Sequence, residues 1–108
     1  MIEIRQYVDR LGRNTFEQWF KAQEGTTRAR ITIALERLMR GSLSLVKGVG
    51  AGVFELRLDF GPGYRVYFGK DGEAIVILLC GGTKKRQQAD IDAAHALWQE
   101  YKKQKGGK

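Results

Sequence analysis

The chain has 108 residues, of which 43% are hydrophobic and 10% aromatic. This length suffices for one domain with an apolar core and excludes two, and the composition argues against a disordered chain. Lys and Arg number 19 against 12 Asp and Glu, giving a formal net charge of +7. The excess favours polyanionic partners, with nucleic acid first and an acidic protein second, and the alternative is a charge that serves solubility alone.

The cellular location is constrained by the cysteine content and by the first residues. The single cysteine, Cys80, cannot form an internal disulfide, and the opening residues MIEIRQY lack the apolar segment of a signal peptide. The longest apolar run, AIVILLC at 74–80, is far below the roughly 20 residues that span a bilayer. We therefore expect a cytoplasmic protein without a membrane span.

The first half of the chain predicts one strand followed by two helices. Residues 2–7 alternate between apolar and polar and suit a short strand. Asn14 and Thr15 offer an N-cap for the helix FEQWFKAQ, which Gly25 is expected to end. A second helix is expected to begin at one of the two following threonines and to stop at Gly41.

The second half predicts three strands and a final helix after a glycine-rich connection over 42–52. The strands are expected at about 53–59, 64–69 and 73–80, and the helix over RQQADIDAAHALWQEYKKQ. The last strand is continuously apolar, which is typical of a strand covered on both faces. The order β-α-α-β-β-β-α predicts an α+β fold in a single domain, 1–108, with a flexible basic tail from about 102.

Two neighbouring strands carry an unusual pair of arginines. Alternation across the Gly-Pro-Gly turn places Arg57 and Arg65 on the polar side of the hairpin, where we expect them to be exposed although like charges repel across a ladder. One alternative is a solvated face on which Glu55 and Asp59 neutralise the arginines. Tyr67 shares this side and could stack on a base, although an ordinary core or surface role is equally open.

A second basic cluster follows the last strand in the sequence GGTKKR. Gly81 and Gly82 would let the chain turn, and the following helix N-terminus favours an anion there. Lys84, Lys85 and Arg86 add three positive charges. The spacing is not that of a nucleotide P-loop. If the strands are neighbours, this cluster and the arginine pair form one phosphate-binding surface.

Such a surface could cleave RNA without a metal ion, because the 2′-hydroxyl is an internal nucleophile and Arg and Lys stabilise charge on phosphorus. The proton steps would fall to a lysine with a lowered pKa or to a carboxylate such as Asp90. One histidine and one cysteine give no metal site, and His95 is expected to be structural. GVGAG at 48–52 precedes a strand and is not a dinucleotide fingerprint, so no cofactor is expected.

Over residues 48–101 the chain resembles a known toxin family. The motifs are E-L-R, G-Y-R-V-Y, an apolar strand, G-G-x-K-K and x-D-I-x-x-A, in that order. Their order and spacing resemble the RelE/ParE toxin superfamily, in its HigB-like branch of addiction-module killer proteins. The resemblance implies a small curved, largely antiparallel sheet with two N-terminal helices and a C-terminal helix packed on it.

The resemblance also implies the toxin of a type II toxin–antitoxin pair that cleaves mRNA on the ribosome and blocks translation. The implied partners are an antitoxin, encoded nearby and of helix-turn-helix type, the ribosome with its mRNA, and DNA only through the antitoxin complex. Glu55 departs from the family pattern, since some ribonuclease members are basic there. The candidate catalytic residues are Arg57, Arg65, Lys84, Lys85 and Asp90. The candidate nucleic-acid-binding residues are Lys47, Arg57, Arg65, Tyr67, Lys84, Lys85 and Arg86.

Two other functions fit the same residues. ParE-type relatives inhibit DNA gyrase without acting as enzymes, although the retained arginines and the TKKR segment count against this role here. The third possibility is an inactive nucleic-acid-binding relative whose charges serve affinity alone.

Overall fold

The computed structural model describes residues 1–106 and has an α+β fold with helices on both faces of a curved mixed sheet. The elements are β1 (Glu3–Gln6), α1 (Thr15–Lys21), α2 (Gly25–Met39), β2 (Val46–Gly48), β3 (Val53–Leu58), β4 (Tyr64–Asp71), β5 (Ile75–Thr83), a 3₁₀-helix (Lys84–Arg86) and α3 (Gln87–Gly106). The strand order is β1-β5-β4-β3-β2. Only the β1–β5 pair is parallel, which agrees with the predicted, largely antiparallel sheet.

Two of the predicted helix boundaries are confirmed by hydrogen bonds. The Asn14 side-chain oxygen accepts from the backbone N–H of Glu17 at 3.0 Å and so satisfies a free donor at the start of α1. At the end of α2, Gly41 has a φ of +92° and donates its N–H to the Leu38 carbonyl at 2.9 Å. A residue with a side chain would be strained at that φ, which is why glycine ends the helix.

The predicted role of Gly25 is wrong, because this residue begins α2. Helix α1 already ends at Lys21, and the Gln23 side chain donates to the Trp19 carbonyl at 2.8 Å. That bond satisfies a free carbonyl at the end of the helix, so no glycine is needed there. The N-cap of α2 is the extended residue Glu24 rather than a threonine.

The apolar core has one layer on each side of the sheet. Phe16, Ile31 and Leu38 from α1 and α2 pack on one face. The strand residues of that layer are Leu56, Leu58, Val66, Phe68, Val76 and Leu78. On the other face Ala94 and Trp98 of α3 pack against a second set from the strands, Val53, Tyr67, Ile77, Leu79 and Cys80. The prediction that β5 is covered on both faces is therefore confirmed.

Two segments predicted as connections belong to the sheet. Strand β2 lies inside the glycine-rich segment 42–52 and pairs with β3. The Gly-Gly pair after the apolar run lies within β5, which continues to Thr83. A Cβ at Gly81 would overlap the Trp19 ring, and one at Gly82 would overlap the Asp90 carboxyl group. These glycines therefore allow close packing and do not form a turn.

The last helix is longer than predicted. Helix α3 continues to Gly106, and Lys105 forms an ion pair with Asp71 at the end of β4. Residues 102–106 of the predicted flexible tail thus lie in α3, and 107–108 lie outside the described residues. His95 is structural as expected, since its Nε2 lies 2.9 Å from the Val49 carbonyl oxygen. Across residues 1–106, none of the helices has the length and apolar character needed to cross a membrane.

Candidate functional site

The strand register places the two arginines side by side on the α3 face of the sheet. Arg57 of β3 is the direct partner of Arg65 of β4, and Arg65 is the partner of Gly82 of β5. The Asp90 carboxyl group from α3 packs onto the bare backbone of Gly82. We call Arg57, Arg65 and Asp90 the arginine row.

The expected exposure of this face is wrong, because α3 covers it. Arg65 retains only 4% of its accessible surface and Tyr67 retains none, while Arg57 is half-buried. No face of the Tyr67 ring is open to a stacking base in this structure. Burial is also the main cause of a raised pKa for Tyr67, with a smaller contribution from the adjacent Glu55 carboxylate.

Glu55 holds the buried part of this face together. Its side chain is fully buried, and its Oε2 accepts from the Tyr67 hydroxyl at 3.0 Å and from Gln87 Nε2 at 2.7 Å. Its Oε1 lies 3.8 Å from Arg65 Nε. Glu55 therefore neutralises Arg65 inside the fold and attaches the first residue of α3 to β3.

Arg65 makes two further polar contacts. Its Nη1 donates to the Tyr64 carbonyl at 3.1 Å and lies 3.5 Å from Asp59 Oδ1. Within residues 1–106, Arg57 has no carboxylate partner at ion-pair distance. The neutralisation by Glu55 and Asp59 that the sequence suggested thus applies to Arg65 alone and takes place within the protein.

Asp90 supplies a carboxyl group with unusual surroundings. Its Oδ2 is buried without a hydrogen-bond partner. Burial raises the pKa of Asp90, and the charge of Arg86 opposes that shift to a smaller extent. A carboxyl group whose pKa is shifted towards neutrality is better suited to exchanging a proton than an ordinary aspartate.

Unpartnered polar atoms are concentrated in and beside this row. Within residues 1–106, the buried side-chain N and O atoms without a hydrogen-bond partner are Glu55 Oε1, Arg57 Nε, Arg65 Nε and Asp90 Oδ2. The first and third of these lie 3.8 Å apart as an ion pair. Native proteins pair most such atoms, so a group of them at one place requires an explanation.

The exposed basic residues surround the row. Lys84 donates its backbone N–H to the Gly63 carbonyl at 2.7 Å. A Cβ placed on Gly63 would lie 3.3 Å from Lys84 Cβ and 3.5 Å from Arg65 Nη1, so the 3₁₀-helix begins beside Arg65. Lys85 and Arg86 follow on the same turn and are exposed.

Lys47 reaches the same face from the edge strand. It is the register partner of Glu55, and cross-strand partners share a face. Lys47 is exposed, and its partner Glu55 lies two residues from Arg57 on the same strand. The structure therefore brings every predicted basic site residue to one region. It also adds Gln87, which the sequence did not indicate, and makes Glu55 a buried partner of Arg65.

This region offers cations and one free carboxyl group, and no metal-binding cluster. Within residues 1–106, no group of three or more His, Cys, Asp or Glu side chains is placed to hold a metal ion. The arrangement can bind an anion and exchange a proton beside it.

Comparison with known proteins places the chain in a family. Residues 18–102, which include β2 to β5 and most of α3, match the family model described as "Phage derived protein Gp49-like (DUF891)". An uncharacterized protein of Haemophilus influenzae is 44% identical over 87 residues, covering 80% of this chain and 88% of the relative. The chain therefore belongs to the Gp49-like family of phage-derived proteins, which is part of the RelE/HigB-type toxin superfamily.

Proposed function

We propose that this protein is the HigB-like toxin of a type II toxin–antitoxin module and that it cleaves mRNA on the ribosome. Membership of a toxin–antitoxin family supports the first part. The observation that carries the second part is the group of buried, unpartnered polar atoms at the arginine row, with exposed lysines and arginine beside it. Arginine and lysine side chains bind phosphate and stabilise charge that develops on it.

In the proposed reaction the ribose 2′-oxygen attacks the adjacent phosphorus and the bond from phosphorus to the 5′-oxygen breaks. The products are a 2′,3′-cyclic phosphate and a 5′-hydroxyl end, so neither a metal ion nor a covalent enzyme intermediate is required. Lys47, Lys85 and Arg86 bind the RNA backbone, since their side chains are exposed. Asp90 exchanges a proton with one of the reacting oxygens, a role supported by its raised pKa.

The two arginines take different parts in this proposal. Arg57 is half-buried and has no ionic partner within residues 1–106, so its charge is available to a phosphate. Arg65 is 4% exposed and pairs with Glu55 and Asp59. We assign phosphate contact to Arg57 and Lys84, and we assign to Arg65 the positioning of both.

The proposal includes partners and a location. The toxin–antitoxin family supports an antitoxin partner. Binding to the ribosome and mRNA, and a cytoplasmic location, follow from the proposed reaction.

Induction of the protein in cells, followed by mapping of mRNA 5′ ends, tests the activity. We expect cuts phased with the reading frame, reduced by at least about tenfold in Arg57→Gln and in Asp90→Asn. Lys103→Gln, on the exposed side of α3, is the control and leaves the cuts unchanged. Asp90→Asn keeps the shape of the side chain, so we expect the variant to fold normally. Circular dichroism verifies this.

Other results would overturn the proposal. Intact mRNA together with relaxed or broken DNA would indicate the gyrase-inhibitor function. Normal growth with intact mRNA and DNA would indicate a binding protein without either activity. Unchanged cuts in both site variants would remove the arginine row from the reaction.

A further inference from the structure

Exposed apolar side chains occur on helix α2 and in the segment that follows it. The described residues include six exposed large hydrophobic side chains, Met1, Val8, Leu11, Ile33, Leu43 and Leu45. The last three, with exposures of 49%, 55% and 38%, come from α2 and from the segment that leads into β2. Grouped apolar exposure of this kind marks an interaction surface more often than single exposed residues do.

Ile33 and Leu45 border an open groove of about 340 Å³ between α2 and the edge of the sheet. Arg30, Ile33 and Arg37 line it from the α2 side, and Leu45, Leu58 and Phe60 line it from the opposite side. The three α2 residues recur at intervals of three and four, which places them along about 10 Å of one helix face. We call this feature the α2 groove.

Its two arginines determine which partner would fit. Arg30 lies over the Phe60 ring, 4.4 Å from the ring centre. Within residues 1–106, neither Arg30 nor Arg37 has an ion-pair partner. One acidic residue, Asp59, also lines the groove, and it faces Arg65 at 3.5 Å. A partner that pairs with Arg30 and Arg37 must therefore carry carboxylates.

We propose that the α2 groove binds an acidic amphipathic α-helix of a partner protein. Apolar side chains of that helix would pack between Ile33 and Leu45, and carboxylates on its flanks would pair with Arg30 and Arg37. A helix fits better than an added strand, because the lining on α2 runs for two turns whereas β2 offers only three residues for pairing. A second copy of this chain is disfavoured by its net charge of +7.

The position of the groove has a consequence for regulation. It lies on the α1–α2 side of the sheet, whereas the arginine row lies on the α3 side. A helix bound in the α2 groove leaves the arginine row uncovered. A partner that also blocks the arginine row needs a second contact. This inference concerns binding alone and does not depend on RNA cleavage.

Synthetic helical peptides provide the test. Two peptides of about 18 residues share one leucine stripe and differ only in their flanking residues, glutamate in one and lysine in the other. Affinity for the full chain is measured by fluorescence anisotropy, and the site is located by amide chemical-shift changes in ¹⁵N-labelled protein. We expect the glutamate peptide to bind at least about tenfold more tightly and to shift residues 30–37 and 43–46.

Variants distinguish the α2 groove from a general attraction to positive charge. Ile33→Ser and Arg37→Glu are each expected to weaken binding of the glutamate peptide at least about fivefold. Lys103→Glu makes the same charge change on α3 and is expected to weaken it less than about twofold. Equal effects of Arg37→Glu and Lys103→Glu would overturn the proposal. So would equal affinity for the two peptides, shifts confined to 84–90, or self-association of the chain through residues 30–37.

Discussion

Substitution of Arg65 by methionine is expected to destabilise the protein strongly. Glu55 is fully buried, and Arg65 is its only cationic partner within residues 1–106. Removing one member of a buried pair leaves an uncompensated charge, which costs about 3–5 kcal/mol. The free energy of unfolding of a small domain is about 5–15 kcal/mol in total, so the variant would be close to unfolding.

Arg57→Met is the matched control, because it makes the same change at the directly opposite residue. It removes a charge that has no ionic partner within residues 1–106, and it relieves repulsion across the ladder. We therefore expect the free energy of unfolding to fall by less than about 1 kcal/mol. Urea unfolding followed by fluorescence of Trp19 and Trp98 measures both variants, since these residues lie on opposite faces of the sheet.

Glu55→Gln combined with Arg65→Met removes both charges of the buried pair. The combined loss should therefore be at least about 1 kcal/mol smaller than the sum of the two single losses. Equal, small losses in Arg65→Met and Arg57→Met would refute the assignment of Arg65 to a buried structural pair. They would also restore Arg65 as a candidate for direct phosphate contact.

Three further expectations test the packing of the fold. Gly69→Ala places a methyl group inside the buried Trp98 ring and should cost about 1–3 kcal/mol in urea unfolding, and a neutral result would show that the ring can move. Burial raises the pKa of the Cys80 thiol to about 12, and Asp90 adds to that shift, so iodoacetamide at pH 8 should alkylate the native protein at least about 100-fold more slowly than the unfolded chain. Asn14→Ala removes the acceptor for the Glu17 N–H and should lower the midpoint of thermal unfolding, followed by circular dichroism, by about 4–8 °C.

Periodicity predicts the larger elements of this fold because they bury long apolar stripes. It does not predict β2, whose three residues are placed by pairing with β3 rather than by their own pattern. The Gly-Gly pair at the end of β5 shows a different difficulty. Glycine suggests a turn. Here, however, Trp19 and Asp90 occupy the space that a Cβ on these residues would need, so both positions must be glycine. Such contacts depend on tertiary packing and leave no local signal.

The sequence correctly predicts that Arg57 and Arg65 share a face, and it wrongly predicts that this face is exposed. The predicted exposure of this face conflicts with the prediction that β5 is covered on both faces. A helix that covers β5 also covers part of its neighbour β4. The amphipathic helix α3 supplies that cover. The sequence places Glu55 beside the arginines, but on a solvated face. Its actual partners depend on side-chain conformations that the sequence does not give.

The buried charges of the sheet strands lie on one face only within residues 1–106. The residues that α1 and α2 bury are Phe16, Thr27, Ile31, Ala34 and Leu38, and none of them is charged. The α3 face has an apolar layer as well, but it also buries Glu55 and Arg65 and contains four side-chain atoms without a hydrogen-bond partner. Apolar residues of similar size often serve stability as well as a buried ion pair does or better. An ionic layer on one face alone is therefore better explained by what it positions, namely Arg57, Asp90 and the start of the 3₁₀-helix. Glu55 and Arg65 thus form a buried framework that is distinct from the groups available for chemistry.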